Sequence, residues 1–418
     1  MSTRADPAAA LGREGGGRRV VAALAITTTI GYGVLHYAYS VLLLPMARDL
    51  HASTTVVTGA LTVSVLAGAA AAMPVGRWLD ARGGRTLMTT GSVVATVLLA
   101  AWSRVDSVVG LYAVLAGIGL ASAAVLYEPA FAVVVTWHQD PRRRASALLA
   151  VTVVAGFAST IFVPLTGYLV QAHGWRTTLV ILAALYGAVT VPLHALAVRP
   201  PPAARAATGP VAAGRPPVRT AVRDRRFWLL AVAFVAQAAA VSVLSVHLVT
   251  YLVERGYPTG FAATVAGLFG VLSVTGRLAT TAAGRRFAPA YVVGAVFASQ
   301  AVAAALLPVI ASSAAGVVCA VVGFGIGFGV ATIARPTMLT GLYGTAGYAT
   351  ISGLLTVPIT VAKAFAPLGA AAVRTSTGSY LLVFAAAALA CAIAATGIAV
   401  TRMIKVPSIK DEGTCFDL

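Results

Sequence analysis

The chain has 418 residues, of which 59% are hydrophobic and only 10% charged, yet its formal charge is +18. Water-soluble domains carry roughly 25% charged residues, so this composition excludes a protein that covers itself with polar surface. It requires lipid as part of its solvent.

A spanning helix needs about 20 mostly apolar residues. Twelve such stretches follow one another: 20–44, 54–75, 86–102, 108–136, 145–172, 177–198, 227–253, 259–282, 289–311, 313–334, 345–372 and 378–401. Barrel strands would be segments of about 10 residues with alternating polarity, and that alternation is absent. The expected fold is therefore an all-α membrane protein. Residues 1–19 read as a basic tail. The first apolar stretch is too long for a signal-peptide core and has no cleavage site after it, so it is expected to be the first span. It carries Tyr32 and His36, spaced i and i+4, which either line a cavity or pack.

The second span ends in GRWLDARGGR, residues 76–85. The fourth contains Glu128, the one carboxylate well inside a span, followed by Pro129. A buried carboxylate either binds and releases a coupling proton or forms a static ion pair. Residues 20–198 make up a first set of six spans. Residues 199–226 are rich in Pro, Gly and Arg and read as a linker without a core. Residues 227–402 hold a second set of six.

The seventh span carries His247, which either titrates in a functional role or satisfies a local hydrogen bond. The eighth ends in GRLATTAAGR, residues 276–285, which matches 76–85 at an offset of 200 through Gly276, Arg277, Gly284 and Arg285. Thr280 stands where Asp80 stands in the first copy. GFGIGFG at 323–329 reads as close helix packing rather than a phosphate cradle. The eleventh span carries Lys363. Residues 403–418 read as a second tail. Cys319, Cys391 and Cys415 have no metal-site or disulfide spacing, and no motif calls for a cofactor, a metal or an enzymatic nucleophile.

With the N-terminus inside, 23 Lys and Arg residues fall on inside segments and five on outside loops, and Arg277 and Lys363 remain within spans. This bias follows the positive-inside rule. The basic charge is thus topological, and a nucleic-acid partner is excluded. Both termini are expected in the cytoplasm, with the chain spanning a bacterial-type inner membrane.

The loop GRWLDARGGR resembles the pattern Gly-x-x-x-Asp-x-(Arg/Lys)-x-Gly-(Arg/Lys) of the major facilitator superfamily, through Gly76, Asp80, Arg82, Gly84 and Arg85. A carboxylate here can bind an arginine or a helix N-terminus across an interface between halves. The resemblance implies two pseudo-symmetric six-helix bundles, a solute path between them, and a gating role for Asp80 with Arg82 and Arg85 as partners. WHQDPRRRASALLAVTVVAG from Trp137, VHLVTYLVERG with His247, TGR with Arg277 and AKA with Lys363 resemble the monocarboxylate and oxalate–formate carriers. That likeness implies a small organic anion bound by Arg277, Lys363, His247, Tyr32 and His36, moved by alternating access with protons or a counter-anion, with Glu128 as proton carrier and the protein as a monomer. Two alternatives stay open for Arg277, a substrate ligand or a structural arginine copying Arg77. Lys363 is either a substrate ligand or a partner of Glu128. Proton-driven efflux of drugs or secondary metabolites is the rival function, and a non-transporting receptor or scaffold a second.

Overall fold

The computed structural model describes residues 7–199 and 218–403. The ends of both expected tails, Cys415 among them, and most of the linker lie outside those residues. The first helix, α1, comprises Pro7–Tyr32, a π-helical turn Gly33–Tyr37, and Ala38–Asp49. It therefore begins inside the stretch read as a tail. Next come α2 (Thr54–Arg82), α3 (Gly84–Trp102) and α4 (Val108–Trp137).

Eleven helical stretches are long and apolar enough to cross a membrane, and one of these, Pro141–Ala197, has 57 residues. At about 1.5 Å per residue that is far longer than a bilayer core of about 30 Å. It breaks at Gly174, where φ is 74° and ψ 166°, a conformation that glycine adopts without cost. The chain turns back there. Arg176 reaches the carbonyl of Val105 at one end of the bundle, whereas the Ala195 carbonyl accepts from Arg85 at the other. The stretch is thus α5 (141–173) and α6 (175–197), and the spans number twelve among the described residues.

After a short helix at Val218–Arg223 come α7 (Arg225–Glu254), α8 (Thr259–Ala283), α9 (Pro289–Ile310), α10 (Ala314–Tyr343), α11 (Tyr348–Thr377) and α12 (Leu381–Met403). Two spans are interrupted. Helix α4 breaks at Leu126 (φ −89°, ψ −147°), and α10 breaks between Gly325 and Val330. Backbone groups freed inside a membrane need partners. In α10 the Gln300 amide donates to the Phe324 carbonyl at 2.9 Å, and Gln237 donates to that of Gly327.

The packing divides the molecule lengthwise. One apolar core joins the halves at the end that carries Arg77, Arg142 and Arg285, through residues such as Leu24, Leu79 and Phe131 of the first half and Phe227, Leu339 and Leu355 of the second. Toward the opposite end there are two separate cores, one drawn only from α1–α6 and one only from α7–α12. Helix α11 shows the same gradient, because its buried residues run from Tyr348 to Ile359 and none follows. The halves are thus closed on each other at the Arg-rich end and part toward the other, leaving a cleft between them.

At the open end each half carries its own clamp. Arg176 binds Asp49 at 2.5 Å and stacks on Trp175. Arg374 binds Glu254 at 2.8 Å and stacks on Tyr380. In both halves the clamp ties the open-end terminus of the first helix to the junction of the last two, from the first turn of α6 in one half and the last turn of α11 in the other.

Candidate functional site

The closed end is held by the second helix of one half against the fifth of the other, α2 against α11. Helix α11 starts at Gly347 in a left-handed conformation and has no side-chain cap from its own sequence. Its first N–H groups need acceptors. Asp80 supplies them from the other half. Its Oδ1 accepts from Ala349 N at 3.1 Å, and its Oδ2 accepts from Thr350 N at 2.7 Å and Thr350 Oγ1 at 2.6 Å. A carboxylate at a helix N-terminus also gains from the helix dipole. The backbones approach closely, since a Cβ at Gly76 would run into the Ala349 carbonyl and one at Gly353 into that of Ala72.

This corrects the expected partners of Asp80. Arg85 donates instead to the Ala195 carbonyl at 2.7 Å, and Arg82 lies over the Trp78 ring. Gly84 packs under Val133. The geometry also accounts for Thr280 in the second copy. The helix α5, counterpart of α11 in the first half, is capped by its own Asp140, whose Oδ2 accepts from Arg143 N at 2.7 Å. It needs no acid from α8.

Above this latch lies a cluster of ionisable groups at the floor of the cleft. Glu128, just past the break in α4, forms an ion pair with Arg335 of α10 and accepts from Ser352 Oγ of α11 at 2.7 Å. Arg335 Nη1 donates to Thr356 Oγ1 at 3.1 Å. Side chains of both partners are mostly shielded, with exposures of 13% for Arg335 and 20% for Glu128. Arg335 was missed in the sequence, and Glu128 pairs with it rather than with Lys363. The apolar run of the tenth span stops at residue 334, so the sequence pattern puts Arg335 in a loop. The break at 326–329 lets α10 run on to Tyr343 as a second helix. The apolar periodicity of ATIARPTMLTGLY is the signal that shows it, with Pro336 inside the helix.

Lys363 and His36 are both crowded by protein and both reach solvent, as expected for walls of a deep open cleft. Glu128 and Arg335 are in electrostatic reach of Lys363. Among the described residues, no hydrogen bond or ion pair engages its ammonium group. Tyr32 packs at a tilt against Tyr127, the neighbour of Glu128, with ring centroids 4.6 Å apart, and meets His36 edge-on at 6.3 Å. Arg277 is buried in the seam between the halves. Its Nη1 donates across to the Thr152 carbonyl of α5 at 2.8 Å, its Nε donates to that of Gly329 at 3.2 Å, and Tyr127 lies beside it.

His247 is not part of this group. It is buried within the second half, with Nε2 3.0 Å from the Pro367 carbonyl, and it packs near Tyr380. Pro367 explains the local pattern. It has no N–H to give to the carbonyl four residues earlier, and that orphan, on Lys363, accepts from Ser242 Oγ at 2.7 Å. The structure therefore brings Tyr32, His36, Glu128, Arg277 and Lys363 to one region, adds Arg335, Ser352 and Thr356, and leaves His247 outside.

Two six-helix halves around a charged cleft closed at one end define a membrane carrier. The chain belongs to the Major Facilitator Superfamily, whose family model matches residues 22–367, and it is a multi-pass transporter of that fold. A search of curated proteins finds no match. Among solved structures, it is similar to a variant of the E. coli fucose:proton symporter FucP, with 17% identity, 91% of this chain and 98% of that one covered, and a TM-score of 0.70. FucP in an outward conformation gives 0.65 at 16% identity over the same shares. The human organic anion transporter MFSD10 (TETRAN) gives 0.64 at 17% identity, covering 93% of this chain and 99% of that one.

Proposed function

We propose that the protein carries a small organic anion, such as a monocarboxylate, by alternating access coupled to protons or a counter-anion. One observation carries this reading. Arg335 is paired with a single carboxylate, Glu128, Lys363 is in electrostatic reach of both, and a third cation, Arg277, is buried nearby beside Tyr127. The backbone carbonyls that hold Arg277 do not cancel its charge, so two positive charges remain in excess. Lipid cannot solvate them, whereas an anion entering the cleft can. The sequence likeness to monocarboxylate and oxalate–formate carriers supports the same class. Glu128, bridged to the other half through Arg335 and Ser352, is the group we assign to proton coupling.

Lys363→Gln is expected to weaken carboxylate binding about thirtyfold, the lower end of the roughly 2–5 kcal/mol range for truncating a charge partner, because the cleft admits water. Lys363→Arg keeps the charge and is expected to retain most binding. Calorimetry with acetate, lactate and oxalate, beside hydrophobic cations, reads both. Unchanged carboxylate binding in Lys363→Gln, or tighter binding of the cations by the parent protein, would overturn the anion reading in favour of efflux.

We infer further that the Arg-rich end faces the cytoplasm of a bacterial-type inner membrane, on the charge bias alone. The state described is then outward-open. A cysteine placed at residue 210, in a background without the natural cysteines, is expected to resist impermeant maleimide added outside intact cells. Efficient labelling from outside would reverse the orientation.

A further inference from the structure

A second space opens at the Arg-rich end, outside the central cleft. It is a groove of about 1490 Å³ between α5 and α8, walled also by α1, α9 and α10. Helices α5 and α8 touch where Arg277 reaches the Thr152 carbonyl and Gly156 meets Val274. Beyond that point, toward the Arg-rich end, they part. The groove thus lies below the seal that separates it from the ionisable cluster.

Its chemistry is divided. The inner wall is apolar, with Ala25, Ala147, Val293 and Ile333. The rim carries Arg18, Arg142 and Arg143 from the first half and Arg285 from the second. Among the described residues, the one carboxylate on the rim, Asp140, is engaged as the cap of α5. Three polar atoms on lining residues have no hydrogen-bond partner among the described residues, Thr280 Oγ1, Thr281 Oγ1 and His138 Nε2.

The volume exceeds the roughly 300–1,000 Å³ of ordinary small-molecule sites. A smaller groove of about 490 Å³ adjoins it through Thr280 and is lined by Phe287 and Tyr291, which are 62% and 61% exposed. Exposed aromatic side chains at helix ends mark the headgroup level of a bilayer. Basic pockets between helices at that level suit anionic lipid headgroups.

We propose that the α5–α8 groove is a binding site for an anionic phospholipid, with its phosphate on the rim arginines and its acyl chains along the apolar wall between the two halves. Because the rim draws arginines from both halves, the lipid bridges them and stabilises the state closed at the Arg-rich end. This goes beyond the transported solute and does not depend on its identity.

The test uses the purified full-length protein in detergent, with phosphatidylglycerol, phosphatidylcholine or inorganic phosphate added. Bound lipid is counted by native mass spectrometry, and the melting temperature is followed in parallel. Phosphatidylglycerol is expected to be retained and to raise the melting temperature, with phosphatidylcholine and phosphate having little effect. Arg142→Gln combined with Arg285→Gln is expected to weaken phosphatidylglycerol binding by roughly tenfold or more, given about 1 kcal/mol per basic residue near an anionic headgroup. Ala150→Trp, which fills the apolar wall, is expected to expel the lipid while leaving the arginines in place. Circular dichroism verifies that each variant is folded. Equal retention of phosphatidylcholine, full stabilisation by inorganic phosphate at matched concentration, or unchanged phosphatidylglycerol binding in a folded double variant would each overturn the proposal.

Discussion

Arg335→Gln is expected to destabilise the protein and abolish transport, although Arg335 lies in no motif that the sequence displays. The substitution removes the one cation bonded to Glu128, in a site where both side chains are largely shielded from water, and leaves only Lys363 at longer range. Breaking a buried pair in this way costs about 3–5 kcal/mol. Ser352 remains as a donor to Glu128 Oε2, but one neutral hydroxyl does not replace a guanidinium. Adding Glu128→Gln to Arg335→Gln removes the stranded charge, so the double variant is expected to recover most of the stability and none of the proton-driven accumulation. Thermal unfolding of the four members of this cycle, with uptake into proteoliposomes, reads both effects. Equal stability of Arg335→Gln and the parent would show that the pair does not hold the halves together.

Gly353→Val is expected to act as strongly, through shape rather than charge. A Cβ at this position collides with the Ala72 carbonyl of α2, and backbone cannot swing aside as a side-chain end can. Helices α2 and α11 must separate, and the state closed at the Arg-rich end loses its tightest contact. The population is expected to shift toward the state open at that end. Asp80→Asn moves it in the same direction by a smaller step, because the amide keeps one acceptor oxygen for Ala349 or Thr350 but loses the second acceptor and the charge at the α11 N-terminus. A cysteine at Leu355, fully buried in the shared core, reports the change. Its labelling by a soluble maleimide is expected to rise steeply in Gly353→Val and moderately in Asp80→Asn, with the natural cysteines removed. Unaltered labelling in Gly353→Val would mean that the α2–α11 contact is not the gate.

The spans and their grouping were legible in the sequence because each depends on a local run of apolar residues. So was the importance of GRWLDARGGR, where glycines and a lone acid stand out among cations. Which partner each polar group takes was not legible, since that depends on helices far apart in the chain. For Asp80 an arginine or a helix N-terminus across the interface stood open, and of these it takes the helix N-terminus, about 270 residues away, rather than Arg82 or Arg85. His247 looked available for chemistry, yet Pro367 sits opposite it with a carbonyl that takes up its ring nitrogen. Arg335 escaped because a glycine-rich break and a proline together disguised the second half of α10 as a loop. The break after Gly325 in α10 was equally hidden, since nothing local distinguishes a glycine that packs from one that ends a helix, whereas Pro129 marks the place where α4 is weakened.

The uneven placement of the apolar cores has a consequence for the unloaded carrier. Two of the three cores are complete within one half and survive any relative movement of the halves. The third is shared, and opening the Arg-rich end must divide it and wet its faces. At about 25 cal/mol per Å² of apolar surface, even a few hundred Å² would hold the resting equilibrium strongly to one side. A solute then triggers the switch only by binding the alternative state more tightly than the resting one, with the difference as large as that bias. The threshold for transport is therefore written into the hydrophobic seam as much as into the charged floor, and trimming a seam leucine would make the carrier less selective about what sets it in motion.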